Sequence, residues 1–211
     1  MNSISKKLLP LTLTVLFSTP VKANPTFKGN PSWMLPSFVE MTAKYPKRLL
    51  DLASNLFSQE RIAKASTTAS LAHEWQHRSA MVNSLGEFFS PELKVKEISK
   101  HQQQAKALIE NALLKDPSLL VRDTAVETVG RIVRMSPTQS KAWKKSLESA
   151  FLDSKNIVQG EGLFIRESIL RILRESNLKP SRKVLNAAKS DLNPQVSYML
   201  KAWQTNSFDS L

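Results

Sequence analysis

The chain has 211 residues, with 30 Lys and Arg against 18 Asp and Glu, a formal charge of +12 and no cysteine. The missing cysteine excludes disulfides, thiolate metal sites, a thiol nucleophile and lipid attachment through an N-terminal cysteine. Five scattered glycines leave no Gly-rich phosphate loop.

Residues 1–23 read as a signal peptide. Lys6 and Lys7 supply the positive start, residues 8–17 a short apolar stretch, and Pro20 precedes the small-residue pattern Val21-Lys22-Ala23. Ten apolar-biased residues are too few to cross a bilayer, where about 20 are needed. Removing this segment leaves 188 residues (211 − 23) and a charge of +9 (12 − 3, for Lys6, Lys7 and Lys22). The expected location is the periplasm or the cell exterior. An exported basic chain points to an anionic envelope component or a protein as partner, while nucleic acid is disfavoured because an exported protein rarely meets it. A lysine-rich background that only aids solubility accounts for the charge equally well.

Residues 24–45 are an extended lead and a short helix. Pro25, Gly29 and Pro31 block regular structure over 24–32, and a helix over 37–44 ends before Pro46. Residues 46–57 are amphipathic, and a long helical stretch covers 59–89, with a break expected around Ser66-Thr67-Thr68. Helices are then predicted in pairs. The first pair is 97–115 and 118–135, joined at Asp116-Pro117, with proline suited to a first helical turn. Residues 138–152 and 163–176 follow across a Gly-containing loop, then 180–190 and 194–204. Nothing alternates as a strand does, so the fold class is all-α, with one domain over 46–211.

Three arginines organise this region. Arg78, Arg122 and Arg166 are 44 apart (122 − 78 = 166 − 122 = 44), each in the same apolar frame. Trp75, Leu119 and Leu163 precede them by three. Met81, Ala125 and Ile169 follow by three, and Val82, Val126 and Leu170 by four. Leu85, Val129 and Leu173 follow by seven. These offsets share one helical face. Gly86 and Gly130 come at the next position in two copies. Val196, Leu200 and Trp203 echo the frame, with Ser197 in place of arginine. Asp116-Pro117, Val121-Arg122, Ala125 and Val129-Gly130 resemble the HEAT family of helical repeats, and Ile165-Arg166, Ile169 and Leu173 do so more loosely. The resemblance spans roughly 69–203 and implies an α-solenoid of about four antiparallel helix pairs that binds protein or nucleic acid, not an enzyme. The arginines themselves suggest an exposed ladder, with Asp116 and Asp123 near Arg122, and Glu161 and Glu167 near Arg166.

Two site readings follow. His73-Glu74-Trp75-Gln76-His77 resembles the zincin H-E-x-x-H motif, which implies His73 and His77 as zinc ligands and Glu74 as general base of a hydrolase. Against it, the extension that carries the third ligand is absent, and neither Glu97 nor His101 lies in a recognisable second motif. The repeat frame also accounts for the segment, with His77 in the column of Val121 and Ile165. Zinc bound to the protein and lost on His73→Ala would establish it. The second reading is a basic ridge. Arg131, Arg134, Lys141, Lys144 and Lys145 form one run, and Arg171, Arg174, Lys179, Arg182 and Lys183 a second. Each covers the end of one helix pair and the start of the next. Stacking would merge the runs into a footprint for an anionic or protein partner. Lysines near helix C-termini that merely solvate the surface are the competing explanation. Trp143, the only aromatic in the first run, is expected in the core. The expectation is thus a monomeric, exported, non-catalytic binding or scaffold module.

Overall fold

The computed structural model describes residues 38–67, 74–91, 93, 96–157 and 165–204. The predicted signal peptide and the lead before Phe38 lie outside them. Among the described residues there is no strand, and the fold is all-helical. The helices are α1 (Phe38–Lys44), α2 (Pro46–Leu56), α3 (Gln59–Thr67), α4 (Glu74–Gly86), α5 (Lys96–Lys115), α6 (Leu119–Met135), α7 (Ser140–Leu152), α8 (Ile165–Glu175), α9 (Arg182–Lys189) and α10 (Pro194–Gln204). The expected stretch over 59–89 is therefore two helices, and Glu87–Phe89 tightens into a 3₁₀ turn.

Local sequence explains the boundaries. Pro46 occupies the first turn of α2, where no amide partner is lost. The Asp116 carboxylate accepts the Ser118 amide at 2.9 Å, turning the chain from α5 into α6. At the end of α8, Asn177 takes the left-handed conformation (φ 52°), and the Leu178 amide reaches back to the Leu173 carbonyl at 2.8 Å. Asparagine tolerates that conformation, so it closes the helix as a glycine would. The Ser181 hydroxyl accepts the Val184 amide and caps α9.

Packing follows chain order. First helices contact one another in the sequence α2, α5, α7, α9, and second helices in the sequence α4, α6, α8, α10. Each first helix also packs on its own second helix: α2 on α4, α5 on α6, α7 on α8 and α9 on α10. The last three pairs have a hairpin turn at one end, with residues 116–118, 153–157 and 190–193 there. Linkers 136–139 and 176–181 lie at the opposite end.

The repeated frame forms the core between the rows. Met81, Ala125, Ile169, Val82, Val126, Leu170, Leu85, Val129 and Leu173 are all buried, and Val196 and Leu200 continue the stripe in α10. Each of these side chains larger than alanine contributes about 1.5–3 kcal/mol on full burial. Leu163 lies outside the described residues. Trp143 is fully buried, edge-on to Phe89 with ring centroids 5.8 Å apart, as its apolar neighbours predict. The two glycines of the frame mark close helix approach. A Cβ on Gly86 would stand 2.8 Å from the Thr128 methyl, and one on Gly130 would stand 2.9 Å from the Ile172 methyl. Since 172 − 128 = 44, the same contact recurs one repeat on.

Candidate functional site

The arginines at offset zero are not an exposed ladder. Arg78 and Arg122 are 4 % exposed and Arg166 is 8 % exposed. Each reaches out of its own second helix into the next hairpin turn. Arg78 donates from Nε to Asp116 Oδ2 (2.7 Å) and from a terminal nitrogen to Oδ1 (3.1 Å). Arg122 donates from Nε to Asn156 Oδ1 (2.8 Å), and also to the carbonyls of Asp116, Pro117 and Lys155. Arg166 donates from Nε to the Phe151 carbonyl (2.8 Å), forms an ion pair with Asp191, and lies over the Phe151 ring. The acceptors come from the hairpin turns, but the pairing differs from the predicted one, since Asp116 gives Arg122 only its backbone carbonyl. Asp116 pairs with Arg78 rather than Arg122, and Glu161 lies outside the described residues.

These contacts are clasps between consecutive pairs. Each satisfies a desolvated guanidinium with acceptors fixed by a turn, as burial of a charge requires. Burial pulls the Arg122 guanidinium below its ordinary pKa, opposed by the charges of Asp153 and Asp116. Asp116 also receives the Ser118 amide, and Asp191 receives the Asn193 amide at 2.9 Å, so one carboxylate shapes the turn and holds the arginine. In the third pair these tasks are divided. Asp153 accepts the Lys155 amide, while Asn156 accepts from Arg122 and donates to the Ala150 carbonyl.

The predicted ridge residues lie where the linkers join the rows, and the structure divides them. Arg131 pairs with Glu87 and also donates to the Asn83 carbonyl. Arg171 pairs with Glu127 at 2.8 Å, and Arg134 with Glu175 at 3.1 Å. Lys144 pairs with Glu148, whose carboxylate also accepts the Ser181 amide at 2.7 Å. The acids that meet Arg131, Arg134 and Arg171 come from neighbouring elements, while Glu148 lies one turn beyond Lys144 on the same helix. Lys141, Lys145, Lys179, Arg182 and Lys183 are exposed and make no ion pair among the described residues. Arg174 is half-buried on α8. Next to the paired columns, burial and the nearby Glu127 push the Asp123 carboxyl up, against the pull of Arg171.

The H-E-x-x-H segment begins α4, with His73 outside the described residues. His77 is half-buried, in the frame column that Val121 and Ile165 fill. Glu74 is 4 % exposed and is gripped by Arg61, whose Nε reaches its oxygens at 3.1 and 3.0 Å and whose terminal nitrogen reaches Oε1 at 2.6 Å. That hydrogen bond raises the Arg61 pKa further. Both carboxylate oxygens are thus occupied by the Arg61 guanidinium. Asn55, Ser58, Glu60 and Lys64 complete an open recess of about 390 Å³ around this pair. Glu97 and His101 are on α5, and no group of three His, Asp or Glu suited to a metal forms among the described residues.

Comparisons with protein-family models, with curated proteins and with solved structures give no match.

Proposed function

We propose that this chain is an exported, non-catalytic binding module, a HEAT-like α-solenoid of about four helix pairs. Its linker edge captures an acidic protein or other anionic envelope partner. The observation that carries the reading is the group Lys141, Lys145, Lys179, Arg182 and Lys183. These cations lie exposed on consecutive first helices and the linker between them, without carboxylate partners among the described residues. The clasps support it further. They tie each pair to the next through buried groups, which gives the rigidity a capture surface needs if binding is not to cost side-chain and backbone ordering.

Lys144 is a poor probe of this edge, because its partner Glu148 also holds the start of the next first helix. The informative set is Lys141→Glu, Lys145→Glu, Arg182→Glu and Lys183→Glu together. Wild-type protein should bind immobilised heparin with a steep salt dependence. The quadruple variant should elute at lower salt with its helical circular dichroism intact, the slope flattening by about four cations. Unchanged elution of a folded variant would falsify the reading.

A further inference from the structure

The hairpin turns leave a different chemistry in water from the linkers. Asp116 and Asp191, with side chains 0 % and 3 % exposed, are drawn in against Arg78 and Arg166. Cationic and aliphatic side chains stand outside, while Asp153 is half-buried and accepts the Lys155 amide. Lys115, Lys155 and Lys189 are exposed, one at each of the three turns, with no ion pair among the described residues. Beside them stand Leu120, Leu152, Ile157 and Leu192, 40 to 65 % exposed. Among the described residues these are four of the seven most exposed large apolar side chains, so such residues concentrate here. At the linkers, by contrast, Leu178 is buried and Met135 half-buried.

We propose that the hairpin-turn edge is a peripheral contact surface for an anionic phospholipid bilayer. The three ammonium groups sit among the headgroups, and Leu120, Leu152, Ile157 and Leu192 enter the interface. Packed helices lie about 8–10 Å apart, so three successive turns form a line of roughly 20 Å that can touch one plane. A lysine ammonium is a point charge on a flexible stem and needs no fixed acceptor geometry, which suits a fluid array of phosphates. A protein partner would be gripped by aromatic or arginine anchors grouped in a pocket, and among the described residues this edge presents neither. Clasping of the turns from beneath means that little order has to be gained on contact. No helix among the described residues is long and apolar enough to cross a membrane, so the contact is superficial and reversible.

The test is co-sedimentation of the purified protein with phosphatidylcholine vesicles containing about one-third phosphatidylglycerol, at 0.15 M salt, where charges beyond about 8 Å are screened. The 13 residues of α7 separate turn from linker by roughly 20 Å, so the two edges titrate independently. Wild-type protein should pellet with the vesicles. Lys115→Glu with Lys155→Glu and Lys189→Glu should lower the partition coefficient about a hundred-fold. Leu120→Ser with Ile157→Ser and Leu192→Ser should lower it about ten-fold or more, since each lost aliphatic insertion weakens binding further. The quadruple linker-edge variant should still pellet. All these proteins share residues 1–23, so differences among them report the edges. Wild-type protein left in the supernatant, a lysine triple variant that binds as well as wild type, or equal loss in the linker-edge variant overturns the proposal. Far-ultraviolet circular dichroism confirms that each variant is folded.

Discussion

Two sets of arginines bridge neighbouring repeats of this chain, and they differ in almost everything else. Arg78, Arg122 and Arg166 are buried and bind turns, whereas Arg131, Arg134 and Arg171 lie on the outer face of the second-helix row and bind helices. In the outer set, Arg131–Glu87 and Arg171–Glu127 both span 44 residues, one repeat. In the buried set the separations are 38, 34 and 25, following the shortening of the pairs. The difference teaches that regular spacing alone says little about energetic weight. An exposed pair competes with water and salt and is worth about 0–1 kcal/mol. A buried cation that loses its counter-charge costs several times more.

That contrast can be broken from either side. Asp116→Ala should have the largest effect. It strands the Arg78 guanidinium in the core and removes the turn bond to Ser118, and a urea titration should show a loss of about 3–5 kcal/mol. A loss below about 1 kcal/mol would put the buried clasp on a par with the outer pairs. Asn156→Ala should cost less, about 1–3 kcal/mol, because three backbone carbonyls still hold Arg122. Asn156→Asp should recover most of that deficit by giving Arg122 a charged acceptor, and a further loss would contradict the clasp. On the outer face, Glu175→Ala should change stability by no more than about 1 kcal/mol, with any effect fading in 1 M salt.

Asp123→Asn should be the smallest effect and of opposite sign. The folded carboxyl titrates above its unfolded value, so the folded state binds the proton more tightly. The native charge is therefore a small burden that is present at neutral pH and disappears as pH falls through the carboxylate range. The variant should be more stable by about 0.5 kcal/mol or less near pH 7, and equal to wild type once Asp123 is protonated. A constant difference from pH 7 to pH 3 would remove the titration as its cause.

Much of the framework was legible in the sequence because burial follows helical periodicity. Met81, Val82 and Leu85 and their equivalents all fall in the core. The expected helix ends agree to within a few residues, and α3 ends at Thr67, within the break expected at Ser66-Thr67-Thr68. The clasps were not legible. A guanidinium can reach several turns of chain, and its acceptor is chosen by the three-dimensional course of the hairpin rather than by a fixed offset. Asn156 illustrates this, since Asp153 is the more obvious candidate and instead caps Lys155. The ridge was half legible. Its cations were countable, but the carboxylates that neutralise Arg131, Arg134 and Arg171 arrive from adjacent helices.

The clasps also have a direction. Every buried guanidinium points forward to the following turn, and the series stops where α10 carries Ser197. Peeling off the last pair would free Arg166 into water, where a cation is well hydrated. Peeling off the first would take Arg78 away from Asp116, leaving that carboxylate with the Ser118 amide and the more distant charge of Arg122. The two ends of the array are therefore chemically unlike: loss of a terminal pair uncovers a guanidinium at the carboxyl end and a carboxylate at the amino end.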